Sequence, residues 1–237
     1  MNNSPNVWCV VPAAGVGKRF GASVPKQYLT LNGKTVVEHT LERLQSVASV
    51  REIVVVISSE DHQFKSLPVA ASSKIKSVVG GDERCHSVLN GLRYLSNVGD
   101  DRDWVLVHDV ARPCVRADDI DKLLNQVAQL DACGGILATP VRDTMKRANR
   151  LNQIEETVER NQLWHALTPQ LFRLGPLRDA IESALNEAFI VTDEASAMEH
   201  LGEHPLLVEG HPDNIKITHP QDLPLAALYI QQQEQAL

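Results

Sequence analysis

The chain has 237 residues, a formal net charge of −7, 43% apolar and 22% charged residues, a composition typical of globular proteins. No run of about 18 apolar residues occurs, so we expect no membrane span. The start, MNNSPNVW, lacks the basic and apolar regions of a signal peptide. The negative charge argues against general nucleic-acid binding, which needs a basic face. Four scattered cysteines without a CxxC pair favour reduced thiols in the cytoplasm.

Apolar runs of strand length alternate with segments of helical period along the first 141 residues. In chain order, VWCVVP, EIVVVIS, KSVVGG, DWVLVHD and GGILATPV predict strands, and TVVEHTLERLQSV, ERCHSVLNGLRYL and DDIDKLLNQVAQL predict helices. Continuous apolar strands are covered on both faces. The pattern therefore predicts an α/β fold with a mostly parallel twisted sheet and helices on both faces.

The alternation of strand and helix patterns is interrupted at about residues 142–162, which are polar and show no clear buried face. We interpret them as an excursion from a single domain that spans 1–237, for which a hairpin arm is one form. Beyond them, LRDAIESALNEA, TDEASAMEHLG and HPQDLPLAALYI predict helices, and LLVEG and NIKIT predict β-like runs. Thr192 is predicted to cap the second of these helices and Thr218 the third, with Pro220 in its first turn.

The loop after the first strand, PAAGVGKRF, matches neither of two common phosphate-binding motifs. Phe20 stands where the dinucleotide fingerprint needs its third glycine, and Arg19 stands where a Walker A loop needs Ser or Thr. Small residues still allow close backbone approach to an anion, and Arg19 and Lys26 add charge. The alternative is a strand-to-helix turn with solvated cations.

Two further strand ends carry polar residues, and ligands of such sheets bind at these ends. In HDVARP, Asp109 follows a buried strand, where a carboxylate suits a hard cation such as Mg²⁺. Arg112 would support that loop or reach an anion, and His108 is interpreted as structural. In GGDER, Asp82 is predicted to cap the next helix. Ser87, on that helix, would bond a base or a neighbouring loop, although an ordinary strand-turn-helix connection without a binding role also explains the segment.

The ordered set PAAGVGKRFGASVPKQYL, GGDER, HDVARP, PVRDTMKR, RNQLWHALTPQLF, TDEASA and NIKIT resembles the 2-C-methyl-D-erythritol 4-phosphate cytidylyltransferases of the non-mevalonate isoprenoid pathway. The resemblance covers almost the whole chain. It implies a Rossmann-like nucleotidyltransferase fold. It also implies transfer of the cytidylyl group of CTP to methylerythritol phosphate, with release of pyrophosphate. A magnesium ion and a homodimer with interlocking β-arms are implied as well.

The resemblance also implies roles for individual residues, which fall into four groups. Arg19, Lys26 and Lys216 would stabilise the triphosphate and the transition state. Asp109 would hold Mg²⁺. Ala13, Ala14, Gly15, Gly17, Gly81, Asp82 and Ser87 would surround the nucleotide. Arg112, Thr144, Arg160 and Thr192 would bind methylerythritol phosphate.

Two positions depart from the family pattern. Val110 stands where alanine is usual beside the metal-binding aspartate, and Phe20 replaces a common methionine. Neither change removes a polar group. Two other functions remain open at this point: cytidylyl transfer to another polyol phosphate, such as ribitol 5-phosphate, and nucleotide binding without turnover. The set of Arg19, Lys26 and Lys216 argues against the second, because binding alone does not require it.

Overall fold

The computed structural model describes residues 6–15 and 24–235. Within these residues, a seven-stranded sheet forms the centre and two short two-stranded sheets accompany it. The strands are β1 Val7–Pro12, β2 Thr30–Leu31, β3 Lys34–Thr35, β4 Val50–Ile57, β5 Ile75–Val79, β6 Trp104–Val107, β7 Gly134–Pro140, β8 Met145–Ala148, β9 Ile154–Val158, β10 Trp164–Arg173 and β11 Leu206–Glu209.

The central sheet has the order β11-β7-β10-β6-β1-β4-β5. Its neighbouring strands are parallel except at β10, which runs antiparallel to both β6 and β7. The predicted, mostly parallel sheet is thus confirmed. β10 was not predicted from the sequence, although this strand lies in the middle of the sheet.

Helices cover both faces of the sheet, as predicted. Alternation along β1 separates the two cores: Cys9 and Val11 pack in one, and Trp8 and Val10 in the other. None of the helices in the described parts of the chain is long and apolar enough to cross a membrane. The α-helices are α1 Val36–Ser46, α2 Arg84–Ser96, α3 Ala117–Gln129, α4 Leu174–Asn186, α5 Glu194–His200 and α6 Asp222–Gln235.

Three predicted helix caps are wrong. Asp193, not Thr192, caps α5: its carboxylate accepts a hydrogen bond from the Ser196 backbone N–H in a reciprocal capping box. Residue Glu83, not Asp82, precedes α2, and its side chain makes no capping bond.

The third cap fails because α6 begins at Asp222, beyond both Thr218 and Pro220. The Asp222 carboxylate instead accepts bonds from the backbone N–H groups of Thr218 and His219. The segment NIKIT is also not a strand, although Ile217 donates a backbone hydrogen bond to Ala111 at 2.8 Å.

Residues 142–162 contain a β-hairpin. β8 and β9 pair antiparallel to each other and to no strand of the central sheet. Their side chains are exposed almost throughout, including the apolar Met145 and Ile154. Within the described residues, the hairpin therefore buries no hydrophobic face.

Candidate functional site

A cavity of about 720 Å³ opens at the carboxyl ends of the central strands, a volume in the range of small-molecule sites. It lies where the sheet topology predicted. The cavity is lined by Pro12, Ala13, Ala14, Gly15, Lys26, Gln27, Gly81, Asp82, Glu83, Arg84, Ser87, Asp109, Val110, Ala111, Lys216 and Thr218.

The loop after β1 forms one wall of this cavity. The backbone N–H of Ala13 donates to Val56 at 2.7 Å, which continues the β1–β4 ladder. The buried Gln27 donates from its amide to the Ala13 carbonyl at 3.0 Å, so it fixes the loop from behind. Gln27 was missed by the sequence analysis. The predicted residues Gly17 and Arg19 lie outside the described residues.

The turn between β5 and α2 forms the opposite wall. A Cβ on Gly80 would lie 2.7 Å from both Ala14 Cβ and Ser87 Oγ, so only glycine lets these elements meet. The Ser87 hydroxyl is buried and accepts from the Gly81 N–H at 3.2 Å. In this structure Ser87 therefore bonds the neighbouring loop, one of its two predicted partners.

Asp109 lies at the floor of the cavity, directly after β6. Its backbone N–H donates to Thr168 Oγ1 at 3.0 Å. Its Oδ1 accepts from Arg84 Nε at 3.0 Å, and its Oδ2 accepts from Lys216 Nζ at 2.7 Å. Burial raises the pKa of Asp109, but the charges of Arg84 and Lys216 outweigh it and hold that pKa well below the usual range. The carboxylate is thus ionised when it faces the cavity.

The two predicted lysines come together from distant parts of the sequence. Lys26 Nζ donates to the Ile217 carbonyl at 3.1 Å, and Lys216 is the preceding residue. Asn214 anchors the Lys216 segment by donating from Nδ2 to the Thr168 carbonyl at 2.8 Å. Two ammonium groups therefore line the same cavity beside Asp109.

Arg112 and His108 support the Asp109 loop from inside the protein. Arg112 donates to the Asn214 carbonyl at 2.8 Å, and its Nε lies 3.8 Å from Asp109 Oδ2. Burial lowers the pKa of His108 to about 4, so the imidazole is neutral. It accepts from Thr168 Oγ1 through Nδ1 and donates from Nε2 to the Arg112 carbonyl, both at 3.0 Å. The structural interpretation of His108 agrees with these contacts.

The other predicted substrate residues lie apart from this floor. Thr144 and Arg160 are exposed at the two ends of the arm, and Arg160 donates to the Arg142 carbonyl within its own chain. Thr192 is exposed just before α5. None of these three is among the cavity-lining residues.

Sequence reasoning missed Arg84 and Glu194, which are joined by a bidentate ion pair next to Asp109. Arg84 donates to the two Glu194 oxygens at 2.7 and 3.0 Å. Both lie inside quoted motifs, GGDER and TDEASA, but are separated by 110 positions. No local pattern links two charges at such a distance, so only the fold could pair them.

Comparison with known proteins gives a consistent result over nearly the full length. A family model described as 2-C-methyl-D-erythritol 4-phosphate cytidylyltransferase matches residues 7–232. An enzyme of that name from Tolumonas auensis is 56% identical over 225 residues, covering 95% of this chain and 96% of its own. The corresponding Photorhabdus laumondii protein is 51% identical over 236 residues, with 97% of each chain covered. The crystal structure of the Francisella tularensis enzyme superposes with a TM-score of 0.82 at 38% identity, covering 94% of this chain and 99% of that one.

Proposed function

The chain belongs to the 2-C-methyl-D-erythritol 4-phosphate cytidylyltransferase family, and from that premise we propose how its residues divide the work. The enzyme transfers the cytidylyl group of CTP to 2-C-methyl-D-erythritol 4-phosphate in isoprenoid precursor synthesis. An oxygen of the substrate phosphate attacks the α-phosphorus of CTP. The bond from that phosphorus to the bridging oxygen breaks, and pyrophosphate leaves.

The reaction needs no nucleophile from the protein, because the substrate phosphate is already ionised. The difficulty is that two anions must approach each other and that charge builds up on the leaving group. Preorganised cations in a site shielded from water lower both barriers. The observation that carries our assignment is the convergence of Lys26 and Lys216 on the cavity beside Asp109.

We assign Lys26 and Lys216 to the phosphates of CTP, with Lys216 near the α-phosphorus. Arg19, in the same loop of the sequence as Lys26, is proposed as the third cation. The small-residue loop and the β5–α2 turn are proposed to hold the nucleotide, through Ala13, Ala14, Gly15, Gly17, Gly81, Asp82 and Ser87. The first wall offers backbone groups at close range, which suits phosphate oxygens.

Asp109 is proposed to hold Mg²⁺. Its ionised carboxylate lines the cavity, and one carboxylate together with phosphate oxygens is a usual ligand set for this ion. When bound, the metal would neutralise charge on the triphosphate. Lys216 occupies Asp109 Oδ2 in this structure, so we expect this ammonium group to give up that oxygen when the metal binds.

Arg112, Thr144, Arg160 and Thr192 are proposed to bind methylerythritol phosphate. Because Thr144 and Arg160 lie on an exposed arm, we propose that a homodimer exchanges arms and brings them to the partner's cavity. We also propose a cytoplasmic location, supported by four free cysteines that suit a reducing compartment.

A substrate panel tests the proposed selectivity. Pyrophosphate release would be measured with CTP and, in turn, methylerythritol phosphate, ribitol 5-phosphate and glycerol 3-phosphate at equal concentrations. We expect kcat/KM to be highest for methylerythritol phosphate. Equal or higher kcat/KM with ribitol 5-phosphate would contradict the assignment of the acceptor.

A further inference from the structure

Arg84 links three parts of the fold at the floor of the cavity. It is the first residue of α2, its Nε reaches Asp109 at the end of β6, and its two terminal nitrogens reach Glu194 at the start of α5. A guanidinium group has a rigid planar fork. The position of one carboxylate thus constrains the position of the other.

Glu194 is a firm anchor for this fork. Its side chain is only 1% exposed, and both of its oxygens accept from Arg84. The start of α5 is itself fixed, because the buried Gln170 of β10 accepts from the Ala195 N–H at 2.8 Å and donates to Asp193 at 2.9 Å. The anchor is therefore tied to the central sheet.

The Asp109 carboxylate is asymmetric as a result. Arg84 occupies Oδ1, while Oδ2 faces Lys216, a cavity-lining residue that is itself 41% exposed at its side chain. Thr168 fixes the backbone of Asp109 by accepting a hydrogen bond from its N–H. Arg84 also lines the cavity, but Glu194 holds its two terminal nitrogens. Oδ2, on the side of the partly exposed Lys216, is therefore the oxygen that a ligand in the cavity can reach by displacing one side chain.

We propose that Arg84 and Glu194 form a positioning pair that holds the rotation of the Asp109 carboxylate and presents Oδ2 to the cation that accompanies CTP. This inference rests on the proposed metal role of Asp109. Neither residue of the pair takes part in the reaction itself. Hydrogen-bond partners of metal ligands commonly affect metal affinity or activity by about 10- to 100-fold.

A double substitution that leaves the net charge unchanged separates a positioning role of the pair from a purely electrostatic one. Arg84→Gln with Glu194→Gln removes one positive and one negative charge, and two amides can still bond to each other. The matched control is Arg93→Gln with Glu182→Gln, which removes an exposed ion pair between α2 and α4. The Kd for CTP would be measured by calorimetry in EDTA and in Mg²⁺, without the acceptor, so that no turnover occurs.

In the wild type, we expect Mg²⁺ to tighten CTP binding. In the Arg84/Glu194 double variant, we expect the Kd in EDTA to stay the same and the tightening by Mg²⁺ to fall by about 10-fold or more. The control pair should behave as wild type. Glu194→Gln alone, which keeps a bond acceptor for Arg84, should give a smaller loss and replaces the double variant if that one fails to fold.

Two results would overturn the inference. Equal weakening of Kd in EDTA and in Mg²⁺ would mean that Arg84 contacts the nucleotide directly, and wild-type tightening would mean that the pair positions nothing. Asp109→Asn distinguishes this from failure of the proposed function. If Asp109→Asn retains the tightening, or the wild type shows none, the metal role of Asp109 is wrong and the inference falls with it. If Asp109→Asn loses the tightening and the double variant keeps it, only the positioning role is rejected.

Discussion

Asp109 sits among more positive than negative charge, although the chain as a whole is acidic. Arg84, Arg112 and Lys216 lie within 3.8 Å of its carboxylate oxygens, and the Glu194 carboxylate balances only part of their charge. Lys26 adds another cation to the same cavity. The phosphates of a polyanion such as CTP are therefore favoured beside Asp109, even though Asp82 and Glu83 line the opposite wall and the chain has a net charge of −7.

For a single residue of this site, we predict that Lys216→Met lowers kcat by about 10²–10³-fold, the usual effect of losing one preorganised charge contact. The melting temperature should change little, because the Lys216 side chain is partly exposed. Steady-state pyrophosphate release and thermal unfolding would measure the two effects.

The control for that prediction is Lys76→Met, which removes a lysine that is exposed on β5. It should leave kcat unchanged. A Lys216→Met enzyme with the kcat of the control would show that this ammonium does not act on the reacting phosphates.

Among the elements, β10 shows why the sequence predicted most of the sheet but not all of it. The inner strands β1, β4 and β6 are nearly continuous apolar runs, whose burial on both faces leaves a clear signal. β10 instead carries Thr168 and Gln170, two buried polar residues that support Asp109 and the start of α5. Polar groups that support the site interrupt the apolar pattern of β10, so this strand was the hardest to recognise.

Site residues that follow a local sequence pattern could be predicted, whereas those defined by contacts between distant parts of the sequence could not. The residues at strand ends, such as Asp109 and Gly81, could be placed because parallel strands share one functional edge. Arg84, Glu194 and Gln27 could not, because each acts through a partner that is distant in sequence. NIKIT alternates like a strand, yet its contacts run to the loop beyond β6 and to β10, so it forms no ladder of its own.

Asp103, just before β6, makes a contribution to the stability of the fold that depends on pH. It lies just before β6, is buried, and accepts from Trp8 Nε1 and from the Asn6 N–H, both at 2.8 Å. Burial raises its pKa, but hydrogen bonds from Asp100, Trp8 and Asn6 outweigh burial and lower it below the usual value. A carboxylate with a lowered pKa stabilises the fold above the pKa of the unfolded chain, and this contribution is lost as the pH falls through the folded value.

We therefore predict that Asp103→Asn lowers the free energy of unfolding by about 2 kcal/mol at neutral pH. The difference from wild type should shrink as the pH falls below about 4, near the unfolded pKa of aspartate. Urea unfolding over a pH series would measure it. Asp121→Asn, an exposed change on α3, should stay within about 0.5 kcal/mol of wild type. A difference for Asp103→Asn that persists undiminished into acid would contradict the electrostatic explanation.

In the whole molecule, the arm buries no face against the described parts of its own chain, and it ends at the exposed Arg160. We predict that Arg160 acts in the cavity of a partner chain. Arg160→Ala and Lys26→Ala homodimers should each be nearly inactive. A mixed dimer would then contain one site with both defects and one intact site, so random mixing should restore about a quarter of wild-type sites.

This mixing experiment would be followed by pyrophosphate release, with subunit exchange verified by native mass spectrometry. Mixing Arg160→Ala with Arg19→Ala should restore the same fraction, because Arg19 and Lys26 are both assigned to the nucleotide side of one chain. If exchange occurs and no activity returns, Arg160 acts within its own chain; a fully active Arg160→Ala homodimer would show that it has no role in the reaction.

The most direct measurement of the central claim is ³¹P NMR of the enzyme with CTP, Mg²⁺ and methylerythritol phosphate. We predict that the monoester signal of the substrate and the triphosphate signals of CTP disappear together. A diester-linked diphosphate and pyrophosphate should appear in equal amounts, and this conversion should be nearly absent in Lys216→Met and Asp109→Asn. A monoester signal that persists while CTP is consumed, or conversion at the wild-type rate in both variants, would contradict the account.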